Sequence, residues 1–318
     1  MTKQTLPAFT ISNIPNQTGK RVIITGANSG IGWNTALELA RKGAEIVLPA
    51  RTAAKAEDGI ARVRAQVPTA RLIPAILDLA SLASVRAFAA EFVIAPIDLL
   101  INNAGVMALP TRELTPDGFE RQFATNFLGP FALTALLLPA IKPQPGSRIV
   151  TVASSAANQG KIEFDNLQSE RRYVPMFGTY SQSKLADLIF QQELQRRLTA
   201  TGSPILSTGA HPGYAITNLQ VTGPGENMPF ILRLGTMILK PLASQDAAHG
   251  ALPTLFAATA PEATPGGYYG PNGFQELKGY PVPAKITKAA QDPALAQRLW
   301  TETERLTGVT FGALSDAA

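Results

Sequence analysis

Short, nearly continuous apolar runs alternate along this chain with longer stretches of helical character. KRVIITGANSGIGWNTALELARKG reads as a strand, a glycine-rich turn and a helix, and AEIVLPAR supplies a second strand. ARLIPAILDLA, APIDLLINNAG, GSRIVTVASS and SPILSTGAHPG follow as further strands, with helices predicted near 52–66, 81–93 and 117–139. Apolar strands with no polar alternation are buried on both faces, and their alternation with helices is the mark of a parallel sheet covered on both sides. The pattern predicts one α/β domain, a doubly wound parallel sheet with helices on both faces. It divides into an N-terminal extension over 1–19 and the α/β domain over 20–318, with no long linker or tandem repeat between them.

Two segments break the rhythm. Residues 156–178 and 213–240 each follow a strand end and are rich in turn residues. Loops beyond strand C-termini are where open α/β sheets bind ligands, so both are predicted to border a substrate, with surface insertion as the plain alternative. A third stretch, TYSQSKLADLIFQQELQRR from Thr179, reads as a long amphipathic helix.

Composition narrows the classes. The 318 residues are 45% hydrophobic and 16% charged, enough for a large core and unlike a disordered chain. With no cysteine, disulfides, thiolate nucleophiles and cysteine-ligated clusters are excluded. A net charge of +5 is spread without a long basic tract, which argues against nucleic acid and suits a small anionic ligand. The first twenty residues lack a continuous apolar segment, and FALTALLLPAI is too short for a bilayer span, so no integral membrane segment is expected and the cytoplasm is the expected location. His211 and His249 are the only histidines and have no metal-ligand spacing, so no metal is expected.

The candidate chemistry begins at TGANSGIG, where Gly26, Gly30 and Gly32 lie between strand and helix. Such glycines permit a tight turn and close helix packing, and the helix N-terminus offers N–H donors to a pyrophosphate. A structural tight turn is the alternative. After the second strand, VLPARTAAK has no acid for the ribose hydroxyls, and Arg51 stands where a guanidinium could grip a 2′-phosphate. That favours NADP(H), with NAD(H) possible. Asp78, at another strand end, could present its carboxylate to an adenine amine, or it or Ser81 could cap a helix. In NNAG, Ala104 and Gly105 leave room for a ribose, and the asparagines could tie down loops or only fix a turn.

Tyr180 and Lys184 are spaced to share one face of a helix. A free phenol has a pKa of about 10, and an ammonium beside it favours phenolate, which would let Tyr180 exchange a proton with an alcohol or alkoxide. Ser154 and Ser155 are candidates to hold the substrate oxygen. TGANSGIG, Asp78, NNAG, Asn126, VASS, YSQSK and HPG, in this order, resemble the short-chain dehydrogenase/reductase family, and the resemblance spans residues 20–240. It implies a Rossmann-type fold with Tyr180 as acid/base, Ser155 polarising the substrate oxygen and Lys184 on the nicotinamide ribose. Asn126 would position a water of a proton relay, and Pro212, Gly213 and Thr217 would lie on the nicotinamide side. The implied cofactor set is Gly26, Asn28, Ser29, Gly30, Ile31, Gly32, Arg51, Asp78, Leu79, Asn103, Ala104 and Gly105, with Tyr180, Lys184 and the nicotinamide-side residues.

Within the family, KIEFDNLQSERRY ahead of YSQSK, and the tail from GGYYGPNGF, resemble the retinol-dehydrogenase-like and protochlorophyllide-reductase-like branch. Ser155 and Tyr180 are farther apart than in short members, and the anchor of membrane-bound retinol enzymes has no counterpart, which weakens a retinoid assignment. Met107, Tyr173, Phe177, Tyr214 and Phe230 are candidate walls for a small, largely apolar carbonyl or alcohol substrate. The resemblance also implies hydride transfer to or from that group, in a monomer or homodimer. Reduction of an activated C=C bond would use the same residues, and a non-catalytic NADP(H)-binding scaffold is the rival from another class.

Overall fold

The computed structural model describes residues 8–215 and 245–314. Thr217, Phe230 and most of the 213–240 segment lie outside these described residues. Eight strands form one sheet: β1 Arg21–Ile24, β2 Glu45–Ala50, β3 Arg71–Ile76, β4 Leu99–Asn102, β5 Arg148–Val152, β6 Leu206–Ala210, β7 Tyr268–Pro271 and β8 Pro281–Pro283. Their order is β3-β2-β1-β4-β5-β6-β7-β8, parallel throughout except for the antiparallel β7–β8 pair. The predicted doubly wound parallel sheet is therefore present. The chain reverses its direction of winding between β1 and β4, which opens a crevice at their C-terminal ends.

The period of two in the strands splits the core into two layers. Val22, Ile24, Ile46 and Leu48 face α1 (Gly30–Arg41), α2 (Ala53–Gln66) and α6 (Ala247–Thr259). Ile23, Val47, Leu100 and Ile149 face α3 (Leu82–Phe92), α4 (Arg121–Ala140), α5 (Ser181–Ala200) and α7 (Pro293–Thr307). Phe9 and Ile14 of the N-terminal extension are buried in the first layer, Phe9 against Phe256 with ring centroids 5.1 Å apart. Phe131, Phe190, Trp300 and Phe311 form an aromatic cluster in the second, where α7 closes over α4 and α5.

Helices α2 and α3 start where the sequence predicts, because Thr52 and Ser81 accept the N–H groups of Lys55 and Ser84 as caps. Three expectations need correction. The helix predicted from 117 starts at Arg121, since Asp117 instead accepts the Leu82 N–H at 2.8 Å and Glu120 caps the new start. The apolar run FALTALLLPAI is buried as a core helix is, but it belongs to the longer α4, which has the length and hydropathy of a membrane span and an apolar stretch that is 72% buried. Helix α5 is not amphipathic. Sixteen of its twenty residues are buried, including Gln182, Lys184, Asp187, Gln191, Glu193 and Arg197.

Candidate active site

The β1–α1 turn is fastened to the β4 exit. Thr25 Oγ1 accepts the N–H groups of Asn103 and Ala104, both at 3.0 Å, and the Asn103 amide donates back to the Thr25 carbonyl at 2.9 Å. Gly26 has φ 68°, and a Cβ there would also press on the Ala104 backbone. A Cβ at Gly32 would strike the Gly26 carbonyl and the Asn103 amide, so this glycine lets α1 close on the turn. Ser29 is the N-cap of α1 but its side chain makes no capping bond. The first N–H groups of a twelve-residue helix therefore face the crevice without a side-chain acceptor, a fit for a pyrophosphate.

Where an adenosine is expected, Arg51 is exposed just beyond β2. Asp78 accepts the Ala80 N–H at 3.0 Å while its own N–H donates to Ser84 Oγ. Ser81, not Asp78, caps α3, and the Leu79 side chain enters the core. Sequence reasoning passed over Arg62. Its guanidinium donates to the Asn28 carbonyl in the glycine turn, pairs with Asp58 and lies 5.3 Å over the Trp33 ring. Its place on a polar helix made it look like any solvated charge.

The candidate reaction centre lies where α4, α5 and the β5 exit meet. Asn126 sits in a π turn, Ala124–Leu128, and Tyr180 ends another, Pro175–Tyr180. Such single turns re-aim side chains within a helix and recur at functional sites. The Asn126 side chain grips Val106 from both sides, accepting its N–H at 2.7 Å and donating to its carbonyl at 3.0 Å, and also donates to Ser183 Oγ at 2.9 Å. That pulls the chain after NNAG onto α5. A Cβ on Gly105 would lie 3.2 Å from Asn126 Oδ1 and 3.7 Å from Lys184 Nζ, so Gly105 borders both.

Ser154 and Ser155 separate in role. Ser154 Oγ accepts the Ala156 N–H as the cap of a 3-10 turn, whereas the Ser155 hydroxyl makes no hydrogen bond among the described residues. This turn packs on α5, where Gly160 fits against the Ser181 backbone and Leu185. Tyr180 is 7% exposed, and its hydroxyl likewise has no hydrogen-bond partner among the described residues. Lys184 Nζ donates to the Val152 carbonyl at 2.9 Å and to Asp187 Oδ2 at 2.8 Å. Burial pulls the Lys184 ammonium down, but the charges of Asp187 and Tyr180 outweigh it and its pKa is raised. Burial also pushes Asp187 up, to about 6, against the pull of Lys184. Both directions leave an ion pair at neutral pH, with Asp187 the member that takes up a proton on acidification.

The HPG turn is held from outside. His211 is fully buried, accepts the Gly213 N–H at Nδ1, and brings Nε2 within 2.9 Å of Glu276 Oε2 in a poorly aligned contact. This partner holds Glu276 below the usual carboxylate range. Gln245 donates to the Pro212 carbonyl at 2.8 Å, and Tyr214 N–H donates to the Leu277 carbonyl at 2.7 Å. Of the predicted walls, Phe177 is 68% exposed, and Met107 and Tyr214 are half-buried. Tyr173 is tied away by its bonds to the Leu109 carbonyl and Gln122, and burial pushes its phenol up to about 12.

Comparison with known proteins adds the lineage. The family model described as short chain dehydrogenase matches residues 20–224. A mouse polyprenol dehydrogenase is 40% identical over 94% of this chain and 87% of its own length. Human retinol dehydrogenase 13 is 42% identical over 92% of this chain and 85% of its own. Among solved structures, a protein from Mycobacterium paratuberculosis superposes with a TM-score of 0.78 at 39% identity, covering 96% of this chain and 99% of that one. A Burkholderia cenocepacia short chain dehydrogenase in complex with NADP shares the fold at a TM-score of 0.60 and 23% identity, covering 80% of this chain and 96% of its own.

Proposed function

The chain belongs to the short-chain dehydrogenase family, on its retinol-dehydrogenase-like branch, and from that premise we propose that it is an NADP(H)-dependent oxidoreductase interconverting a long apolar alcohol and its carbonyl form. The observation that carries the reading is the buried Lys184, which feels the charge of Tyr180 and borders Gly105 together with Asn126, while the Tyr180 and Ser155 hydroxyls have no hydrogen-bond partner among the described residues. When bound, a nicotinamide dinucleotide would supply or accept the hydride.

The chain's own groups manage the oxygen and its proton. Ser155 donates to the substrate oxygen and fixes its direction. Tyr180 takes the hydroxyl proton as the alcohol is oxidised, or returns it to the alkoxide in reduction. The Lys184 ammonium stabilises the negative charge that develops on the phenol oxygen, an effect strengthened by burial. Of its three N–H donors two are held by Val152 and Asp187, and the third remains for a ribose hydroxyl. Asn126 keeps Val106 against α5, so the floor beneath the nicotinamide cannot drift from the proton-transfer pair.

Arg51 supports the NADP(H) preference, since no acid stands beside it to repel a 2′-phosphate. Exposed Phe177, in the turn that ends at Tyr180, supports an apolar substrate, as do the alcohols in the relatives' names. The test is turnover of NADP⁺ and NADPH against long-chain and isoprenoid alcohols and aldehydes, with conjugated enones and NAD(H) alongside and Tyr180→Phe as the control. Turnover abolished by the substitution supports the reading. Absence of cofactor binding, or activity untouched in Tyr180→Phe, sinks it, and product formed only from enones replaces it with C=C reduction.

A further inference from the structure

A carboxylate stands behind the catalytic lysine, one turn along the same helix. Asp187 Oδ2 lies 2.8 Å from Lys184 Nζ, both side chains are buried, and the second bond from Nζ runs to the Val152 carbonyl at the end of β5. A buried ion pair adds little net stability compared with apolar side chains of the same size, and the neighbours of Asp187 on α5 are Leu185, Ala186, Leu188 and Ile189. Stability alone therefore does not account for a charge in this row. Its effect falls on the ammonium it touches.

We propose that Asp187 is a positioning residue for the proton-transfer centre: its carboxylate clamps the Lys184 ammonium against the exit of β5 and sets how much of that charge Tyr180 experiences. The inference rests on the reading of Tyr180 and Lys184 as the acid/base pair. An ammonium without a counter-charge acts at full strength on a nearby phenol oxygen, whereas one paired at 2.8 Å acts largely as a dipole. Asp187 thus attenuates Lys184 and at the same time fixes where its remaining N–H points. The raised pKa of Lys184, with Asp187 and Tyr180 both contributing, agrees with this coupling.

The groups facing the pair come from two elements. Lys184 shares α5 with Asp187 and Tyr180 ends the π turn that leads into it, while β7 contributes Tyr268, whose buried hydroxyl has no partner among the described residues. Burial raises the Tyr268 phenol well above its usual value, and the charges of Glu276, Asp187 and Tyr180 add to the effect. Tyr268 therefore stays a neutral phenol, with its ring 5.3 Å from that of His211, which contacts Glu276. It bounds the pair with a dipole and leaves Asp187 as the buried counter-charge of Lys184.

Asp187→Asn keeps the size and one acceptor oxygen but removes the charge. With ¹³C-labelled lysine, the ε-carbon of Lys184 is assigned by its disappearance in Lys184→Met, and its titration is followed in the intact enzyme and in Asp187→Asn. The titration step is expected to fall by about one pH unit or more in the variant. The acid limb of kcat/KM for alcohol oxidation is expected to move the same way by about one unit, making the variant about tenfold faster than the parent on that limb at pH values above about 6, where Asp187 of the parent is still ionised. Leu188→Ala, which disturbs the same helix without changing charge, should leave both curves in place. Coincident curves for Asp187→Asn and the parent overturn the proposal, as does an equal shift in Leu188→Ala, which would assign the effect to packing. Should Asp187→Asn fail to fold, Asp187→Ser takes its place: a lowered lysine titration supports the proposal and an unmoved one overturns it. The lysine titration needs no turnover, so it tests Asp187 even if Tyr180→Phe remains active and the functional reading falls.

Discussion

Helices α4 and α5 lie against each other under one face of the sheet, joined by Phe127 and Phe131 on Phe190 and by Asn126 on Ser183. Both are buried, for different reasons. In α4 the side chains from Phe127 to Leu137 are almost all apolar, and burial follows from removing them from water. In α5 burial takes in polar and charged groups, each needing a partner: Gln191 donates to the Ser207 carbonyl, Gln195 accepts the Ser207 N–H, and Arg197 pairs with Glu193 while its guanidinium lies 4.2 Å over Trp300. The apolar helix supplies a wall. The polar one supplies chemistry and is fixed by directional bonds, so a change in α5 should alter charge behaviour where a change in the apolar stretch of α4 beyond Asn126 alters only stability.

The largest expected effect comes from breaking a buried pair in α5. Lys184→Met leaves Asp187 without its counter-charge and should cost about 3–5 kcal/mol near neutral pH. The sign with pH is defined. Asp187 holds its proton more tightly folded, with a pKa of about 6 against 3.8, so the folded state binds more protons between those values and stability falls as pH rises through that window. Losing Lys184 pushes Asp187 higher still, so the variant should recover much of its deficit when denaturant melts are repeated near pH 4. A deficit that does not depend on pH would mean the pair is not ionised.

Phe131→Ala in α4 is the contrasting cut. Removing this ring from the Phe190, Trp300 and Phe311 cluster should also cost about 3–5 kcal/mol, but equally at all pH values and without moving the pH dependence of turnover. Arg51→Asp, outside both helices, should reduce kcat/KM for NADP(H) about 10–100-fold relative to NAD(H), as expected for a lost charge-assisted phosphate contact, with thermal stability unchanged. An unaltered preference would transfer that role elsewhere, with Arg62 on the Asn28 carbonyl as the next candidate. The smallest effect is Ser81→Ala, which removes the α3 cap at about 1 kcal/mol in the same melts and leaves catalysis alone.

This contrast also divides what could be read from the residues. Six strands and the Ser81 cap of α3 were legible because continuous apolar runs and a Ser before a helix carry their physics locally. YSQSK was legible because i and i+4 share a helix face. Asp187, Gln191, Glu193 and Arg197 misled, since polar residues at these positions look solvated until β6 and α7 are seen to cover them. Strands β7 and β8 were missed because they are short and rich in Gly and Pro, which a strand tolerates here next to or at a sheet edge. The hold of Glu276 on His211 is also invisible in sequence, because it joins residues far apart through a turn in which Gln275 and Glu276 both have positive φ. Thr217 lies outside the described residues.

The central claim is that the polar burial of α5 serves proton transfer at Tyr180. Its most direct measurement is kcat for alcohol oxidation by Tyr180→Phe with cofactor affinity measured in parallel. In this variant kcat should fall about 10²–10⁴-fold while NADP⁺ binds as before, since the phenyl ring fills the same space and only the proton carrier is gone. Turnover within a few-fold of the parent, with the cofactor bound, would contradict it.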